Sequence, residues 1–341
     1  MTTERTVLVT GASGFIGMHC ILQLLEQGYQ VRGTIRSAAK GEHLRQVLQQ
    51  HTAHTNKLTF AEADLTQDAG WAETVAGCDF VLHVASPLPM SEPKDENDLI
   101  VPAVEGTLRV LRAAHAAGVQ RVVQTSSMAA IVQGHDTHNK RFDESDWTNL
   151  QGKVAAYPKS KTMAERAAWD FVNQPDVTLE LATINPSYVL GPVLDARQTS
   201  TSVEVIRKLL RRDFPGAPRL NFPVVDVRDV AAAHLAAMTN PDAVGKRFIC
   251  SVDNFWVQEM AQILNNHFAS QGYKVPTVGL PDFLVRLVAL FDKTAALVVN
   301  DLGRQVELTN DQIKSVLNWQ PRSAEEAVVA LGKSLIELNA V

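Results

Sequence analysis

The chain has 341 residues, of which 45% are hydrophobic and 20% are charged. This composition is typical of a folded protein with one large domain and a smaller lobe, and it argues against a disordered chain. The formal net charge is -5 and the basic residues are dispersed, which disfavours a nucleic-acid partner. Cys20, Cys78 and Cys250 have no metal-ligand spacing, so we expect reduced, buried thiols and no metal site.

The longest apolar stretch, residues 283–299, also argues against a membrane protein. It contains Arg286, Asp292 and Lys293, which make it too polar to span a bilayer. The first residues lead directly into a strand-like pattern and do not resemble a signal peptide. We therefore expect a cytoplasmic protein with no membrane partner.

Short β-branched runs alternate with longer helical patterns along the first half of the chain. Strands are predicted at residues 6–10, 30–35, 58–61, 80–84, 121–124, 179–184 and 247–250, and helices at 16–27, 99–117 and 227–238. This alternation predicts an α/β fold of the Rossmann type, a doubly wound parallel sheet with helices on both faces. Sheets of this kind bind their ligands at the carboxyl ends of the strands.

The pattern changes after residue 184, where prolines interrupt a loop-rich region. We therefore predict that residues 1–184, with a return segment at about 224–250, form the nucleotide-binding domain. Residues 185–223 and 251–341 are predicted to form a smaller, mostly helical C-terminal substrate lobe.

A glycine-rich stretch at residues 10–17, Thr-Gly-Ala-Ser-Gly-Phe-Ile-Gly, follows the first strand and opens the first helix. Gly11 permits a tight turn, Gly14 lets the backbone approach a pyrophosphate, and Gly17 allows the helix to pack closely on the strand. The free N–H groups at the start of the helix also attract phosphate. The predicted cofactor contacts in this loop are Gly11, Ser13, Gly14, Phe15, Ile16 and Gly17.

The end of the second strand indicates which nicotinamide cofactor is bound. NAD sites usually place an acidic residue there, whereas this sequence has Arg36, with Lys40 just beyond. A guanidinium can pair with a 2′-phosphate, so NADP(H) is favoured, although both could be ordinary surface cations. Asp64, after the third strand, could accept a hydrogen bond from the adenine amine or serve only as a turn residue.

Tyr157 and Lys161 are four residues apart, which places them on one face of a helix. A nearby ammonium stabilises a phenolate and is expected to lower the tyrosine pKa. Tyr157 could then give a proton to an alkoxide while hydride reaches the carbonyl carbon. Ser127, at the end of the fifth strand, could polarise the carbonyl oxygen, and Ser126 is the competing candidate.

Together these motifs resemble the extended short-chain dehydrogenase/reductase family, in particular its dihydroflavonol, cinnamoyl-CoA and yeast-type aldehyde and ketone reductases. The resemblance also rests on His83-Val-Ala-Ser-Pro87, Asn185 to Pro192 and Val225-Asp-Val-Arg-Asp229, and it spans about two-thirds of the chain. It implies that Leu65 accompanies Asp64 in the cofactor site, and that Ala85 and Ser86 lie beside the cofactor ribose. It further implies that Pro186 and Val189 contact the nicotinamide end. His83, inside an apolar strand, is expected to be a core histidine.

The departures from the family suggest which substrates to expect. Flavonoid-reducing members carry an Asn at the position of Val132, and two alanines precede Tyr157 here. Hydrophobic or aromatic aldehydes and ketones are therefore favoured over flavonoid and acyl-CoA substrates. The predicted substrate pocket consists of Leu88, Met90, Val132 and Tyr188.

The sequence favours an NADPH-dependent carbonyl reductase that could also run in reverse as an alcohol dehydrogenase, acting on a small-molecule carbonyl as a monomer or homodimer. A nucleotide-sugar epimerase or dehydratase and a 3β-hydroxysteroid dehydrogenase-like enzyme are the alternatives on the same fold. A dinucleotide-binding regulator without turnover is disfavoured because Ser127, Tyr157 and Lys161 are all present.

Overall fold

A computed structural model describes residues 5–87, 93–135, 140–291 and 299–341. Its strands are β1 (Thr6–Thr10), β2 (Gln30–Ile35), β3 (Leu58–Glu62), β4 (Phe80–His83), β5 (Arg121–Thr125), β6 (Arg141–Phe142), β7 (Glu180–Pro186), β8 (Tyr188–Leu190), β9 (Ala217–Pro218), β10 (Asn221–Asp226), β11 (Arg247–Cys250), β12 (Asp253–Trp256), β13 (Gly279–Leu280) and β14 (Glu307–Leu308). Its α-helices are α1 (Phe15–Glu26), α2 (Ala39–Gln49), α3 (Trp71–Val75), α4 (Asn97–Ala116), α5 (Ala156–Val172), α6 (Thr201–Arg211), α7 (Val227–Thr239), α8 (Val257–Phe268), α9 (Asp282–Val288), α10 (Asp311–Leu317) and α11 (Ala324–Glu337).

In the described part of the chain, the main sheet has seven parallel strands in the order β3-β2-β1-β4-β5-β7-β11. Helices α1, α2 and α7 pack on one face, and α3, α4 and α5 pack on the other. Every residue of β4 and β5 is buried, as expected for strands covered on both sides. The predicted Rossmann-type α/β fold is confirmed.

The smaller lobe is built around a second core. Strands β8, β10 and β12 form a mixed three-stranded sheet, and α6, α8 and α11 pack around it. Buried aliphatic side chains such as Val203, Ile206, Leu264 and Leu331 fill the space between these elements. Within the described ranges, no helix has the length and apolar character needed to cross a bilayer.

Two features of the structure bear on the predicted lobe boundaries. Strand β10, at the start of the predicted return segment, pairs with β8 and β12 of the lobe, while its Val225 packs in the core of the nucleotide-binding part. A second return was not predicted: Ile313, Leu317 and Trp319 join the same core as buried residues of α1 and α7. The sequence of a short helix shows which of its faces is apolar, but not which part of the protein that face covers. Such returns therefore cannot be predicted from the sequence pattern alone.

Candidate active site

The glycine loop between β1 and α1 has the shape that phosphate binding requires. Gly11 has a φ of +68°, a conformation that favours glycine. A Cβ on Gly17 would lie only 2.3 Å from the carbonyl oxygen of Gly11, so a side chain there would displace the loop. Gly14 caps α1 without a side-chain hydrogen bond. The first turn of α1 therefore presents backbone N–H groups that suit a pyrophosphate.

Hydrogen bonds from two neighbouring strands fix this loop. The hydroxyl of Thr10 lies 2.9 Å from Nδ1 of His83 and accepts the N–H of Ala85 at 3.0 Å. The N–H of Gly11 donates to Thr34 Oγ1 at 3.0 Å. Burial lowers the pKa of His83 to about 3, with a smaller contribution from the Lys161 cation, so the ring is neutral. The interpretation of His83 as a core histidine is confirmed.

The other predicted residues of the loop differ in exposure. Ser13 is exposed, Ile16 is half-buried, and the side chain of Phe15 is buried in the core of the smaller lobe. Phe15 can therefore face a cofactor only through its backbone.

Arg36 and Lys40 lie exposed at the end of β2 and in the first turn of α2. Oδ1 of Asp64 accepts the N–H and the hydroxyl of Thr66, both at 2.8 Å. These two bonds lower the pKa of the Asp64 carboxyl, and the nearby Arg36 cation lowers it further. The structure therefore shows the turn role of Asp64 and places Arg36 near it. Contact of either side chain with a cofactor stays a prediction.

The remaining predicted cofactor residues lie at or near the carboxyl edge of the main sheet. Leu65 is half-buried and packs against Gly106, and Ala85 and Ser86 directly follow β4. Pro186 ends β7 in a buried position, and the half-buried Val189 lies in β8. The predicted pocket residues Leu88 and Met90 lie outside the described residues.

Ser127 and Tyr157 meet at the carboxyl end of β5. The Ser127 hydroxyl accepts the N–H of Ala129 at 3.1 Å and is hydrogen-bonded to the phenol of Tyr157. Tyr157 is the second residue of α5, and Lys161 follows one turn later. Ser126 instead turns inward and donates to the carboxylate of Glu165 at 2.5 Å. Of the two serine candidates, only Ser127 is therefore placed beside Tyr157.

The pKa of Tyr157 shifts in the direction opposite to the prediction. Burial raises the pKa of Tyr157, and the hydrogen bond from Ser127 is the opposing effect. The expected lowering by Lys161 is wrong for this structure because burial outweighs the other effects. Tyr157 therefore keeps its proton at neutral pH, which is the state a proton donor needs. Burial also lowers the pKa of Lys161 to about 8, while the Glu165 carboxylate acts to raise it.

Two residues predicted to line the substrate pocket have different surroundings. Val132 is fully buried in a cluster with Ile131, Phe142 and Ile249, so its assignment to the pocket has to be corrected. An apolar residue in a loop can pack inward as readily as it lines a cleft. Tyr188 is half-buried and stacks on Phe222 with ring centroids 4.3 Å apart. Its buried hydroxyl has no hydrogen-bond partner among the described residues, and burial raises its pKa.

The sequence reading missed Glu165 and the contacts of Asn185. The Asn185 amide donates to the Glu165 carboxylate at 2.9 Å and to the backbone oxygen of Ser127 at 3.3 Å. A signal was present, because Glu165 lies one turn after Lys161 on a helix whose other buried residues, apart from Lys161, are small and uncharged.

Comparisons with known proteins agree with this geometry. The family model described as the NAD dependent epimerase/dehydratase family matches residues 7–251. The chain belongs to this family. The ketoreductase azaE of Aspergillus niger is 33% identical over 335 residues, which cover 92% of this chain and 98% of that protein. An anthocyanidin reductase ((2S)-flavan-3-ol-forming) of Vitis vinifera is 32% identical over 289 residues, which cover 80% and 83% respectively.

A solved structure extends the match to nearly the whole chain. The yeast methylglyoxal/isovaleraldehyde reductase Gre2, complexed with NADPH, superposes with a TM-score of 0.79 at 29% identity, covering 98% of this chain and 99% of that chain. The predicted resemblance to the extended short-chain dehydrogenase/reductase family and its reductase group is confirmed.

Proposed function

We propose that this protein reduces the carbonyl group of small hydrophobic or aromatic aldehydes and ketones to an alcohol, with NADPH as the reductant and Tyr157 as the proton donor. The main support is the hydrogen bond between Ser127 and Tyr157, because Tyr157 lies one helical turn before Lys161. Family membership already makes the chain an NADP-dependent oxidoreductase. The proposal adds the substrate class and the role of Tyr157.

The residues present fit NADP(H). A Cβ on Gly17 would collide with the backbone oxygen of Gly11, so the loop needs glycine there to keep its shape, and the helix N-terminus behind it suits a pyrophosphate. Arg36 and Lys40 would hold the 2′-phosphate, since no acid stands at the end of β2. The further proposed contacts are Asp64, Leu65, Ala85, Ser86, Tyr157, Lys161, Pro186 and Val189. When bound, NADPH supplies the hydride.

The chain's own residues handle the oxygen and the proton. Ser127, which is hydrogen-bonded to Tyr157 in this structure, would donate to the carbonyl oxygen and orient it. Tyr157, which burial keeps protonated, would give its proton to the oxygen as negative charge develops there. The buried Lys161 would stabilise the phenolate that remains. Alcohol oxidation would use the same groups in reverse.

The relatives support this substrate class. The Gre2 structure is described as a methylglyoxal/isovaleraldehyde reductase, and azaE is a ketoreductase. The contacts of Tyr188 are also apolar, because its ring stacks on Phe222. A small carbonyl compound with an apolar substituent suits this environment better than a nucleotide-sugar.

The test is a spectrophotometric assay of cofactor oxidation by the purified protein. Aromatic and aliphatic aldehydes, ketones and diketones are compared with NADPH and with NADH as a matched reductant. We expect turnover with NADPH and much less with NADH. Absence of turnover with either, together with tightly held NAD in the purified protein, would overturn the proposal in favour of a nucleotide-sugar epimerase or dehydratase.

A further inference from the structure

A buried carboxylate, that of Glu165, lies directly behind Ser127 and Lys161. Its side chain has no exposed surface, and its two oxygens accept hydrogen bonds from groups on β7, β11 and α5 and from Ser126, which directly follows β5. Oε1 accepts from Arg247 Nε at 2.6 Å, Thr183 Oγ1 at 3.1 Å and Trp169 Nε1 at 3.4 Å. Oε2 accepts from Ser126 Oγ at 2.5 Å and Asn185 Nδ2 at 2.9 Å. These donors match a carboxylate, which only accepts hydrogen bonds when ionised.

This network reaches the chain segments that carry the catalytic groups. Ser126 precedes Ser127, and Asn185 also binds the backbone oxygen of Ser127 at 3.3 Å. Both bonds hold the end of β5 at a fixed distance from α5. Because Glu165 and Lys161 lie on the same helix, one turn apart, the carboxylate fixes Ser127 relative to Lys161.

Arg247 secures Glu165 from the other side. Its guanidinium stacks over the Trp147 ring, 3.8 Å from the centroid. It also donates to the backbone oxygens of Glu144 and Asp146 at 2.7 and 2.6 Å. The Arg247 side chain is therefore fixed against the loop before α5 and stays paired with Glu165. A buried ion pair with this many additional hydrogen bonds keeps the carboxylate in one place.

Among the described titratable groups near Lys161, Glu165 supplies the negative charge. The α5 neighbours are the neutral Tyr157 and the carboxylate of Glu165. The β4 neighbour is His83, which is neutral, and Arg247 on β11 lies beyond Glu165 and is paired with it. Burial of Lys161 favours loss of its proton, and Glu165 is the group that opposes this.

We propose that Glu165 is a positioning residue that keeps the ammonium of Lys161 charged and holds Ser127 in register with Tyr157. The kinetic part of this inference rests on the proposed reductase function, whereas the electrostatic part does not. Without the carboxylate, Lys161 should lose its proton at lower pH. The rate should then begin to fall at a lower alkaline pH, because the reaction needs the Lys161 ammonium.

A second arginine–glutamate pair in the same sheet provides a matched control. Arg121 is also buried and binds Glu180 at 2.8 Å through Nε, and it donates to the backbone oxygens of Ala237 and Asn240. This pair lies at the amino ends of β5 and β7, the edge opposite the catalytic groups. Glu180→Gln thus removes a similar partner from a buried arginine without removing an anion from the neighbourhood of Lys161.

The first experiment measures the titration of Lys161 in cofactor-free protein. The chain is labelled with carbon-13 at the lysine Cε atoms, and the Lys161 resonance is assigned with Lys161→Met. We expect Glu165→Gln to lower the titration midpoint of Lys161 by about one pH unit, since an adjacent opposite charge shifts a pKa by about that much or more. Glu165→Asp, which retains the charge, should remain closer to the wild type, and Glu180→Gln should not move the midpoint.

The second experiment follows the pH dependence of kcat and of kcat/KM. Glu165→Gln should move the alkaline limb of both profiles to lower pH, whereas Glu180→Gln should lower stability only. If Glu165→Gln does not fold, the double variant Glu165→Gln/Arg247→Gln avoids leaving Arg247 as an unpaired buried cation, and the Lys161 midpoint should still fall, by less. An unchanged Lys161 midpoint in a folded Glu165 variant would overturn the inference. A shifted midpoint in a chain that reduces no carbonyl would support it while refuting the proposed function.

Discussion

The nucleotide-binding part and the smaller lobe are assembled differently. In the first, α1, α2, α3 and α4 each connect two strands of the main sheet, so strand and helix alternate regularly along the chain. In the second, β8 has only three residues, β10 and β12 have six and four, and α11 arrives from the end of the chain. Local patterns therefore describe the first part, whereas contacts distant in sequence shape the second.

The two parts also differ in their buried polar groups. His19, His83 and His234 are all buried in the nucleotide-binding part, whereas the described core of the smaller lobe contains no histidine. Burial lowers their pKa values to about 4, about 3 and about 4, below the ordinary value of 6.5. The unfolded chain therefore takes up protons below about pH 6.5 that the folded chain does not bind.

This difference predicts the largest effect, which is acid destabilisation of the nucleotide-binding part. Stability should fall as the pH drops from about 6.5 to 4, and each histidine should cost about 2 kcal/mol at pH 5. Urea unfolding at pH 7 and pH 5 measures the loss. His234→Asn should reduce the pH dependence, whereas His267→Asn, at an exposed position, is the matched control. Equal stability at both pH values would contradict the prediction.

Gly17→Ala should damage the nucleotide-binding part through its geometry. The new Cβ would collide with the backbone oxygen of Gly11, 2.3 Å away, and the loop would have to move. We expect kcat/KM for NADPH to fall about a hundredfold, which is the order of loss caused by a misplacement of about 1 Å. Gly279→Ala in the smaller lobe is the control, because its Cβ would meet its nearest neighbour at 3.5 Å, an ordinary contact. Equal kcat/KM in both variants would contradict the assignment of the loop.

Arg36→Ala tests the choice of cofactor. Loss of a charged hydrogen-bond partner costs about 1.5–3 kcal/mol, so the Kd for NADPH should rise by about ten- to a hundredfold. The Kd for NADH should change little, because NADH has no 2′-phosphate. Fluorescence titration measures both values, and Arg112→Ala on α4 is a control at an exposed arginine. An equal loss for the two cofactors would make Arg36 a bystander.

The smallest effect is expected in the smaller lobe. Tyr188→Phe removes a buried hydroxyl that has no partner among the described residues, so stability should be unchanged or rise by up to about 1 kcal/mol. If the hydroxyl instead binds substrate, KM should rise while stability stays the same. Thermal unfolding and steady-state kinetics separate these results. A loss of stability above about 1 kcal/mol would contradict the described surroundings of Tyr188.

The sequence predicts the main sheet closely because each of its strands contains a short β-branched, apolar run that is visible in the local sequence. The predicted strands at 6–10, 30–35 and 247–250 have the observed bounds, and the helix predicted at 16–27 differs by one residue at each end. The mixed sheet of the lobe was not predicted. Strand β8 has three residues and β10 contains Pro223, so neither shows a clear alternation.

The site was predictable where a residue type implies its chemistry. Gly17, Tyr157 and Lys161 stand at spacings with a direct physical meaning, and the structure brings Tyr157 and Ser127 together. Val132 was wrongly assigned to the pocket because burial depends on tertiary packing. The net direction of the Tyr157 pKa could not be predicted either, since it depends on how much solvent the folded chain removes from the phenol.

The most direct test of the central claim is a comparison of wild type with Tyr157→Phe, measuring both kcat for a carbonyl substrate and the Kd for NADPH. The variant keeps the ring and removes only the proton donor. The account predicts that kcat falls by about 10²- to 10⁴-fold, the usual contribution of a general acid, while the Kd for NADPH changes little. Turnover close to wild type in this variant would contradict the role of Tyr157 as the proton donor.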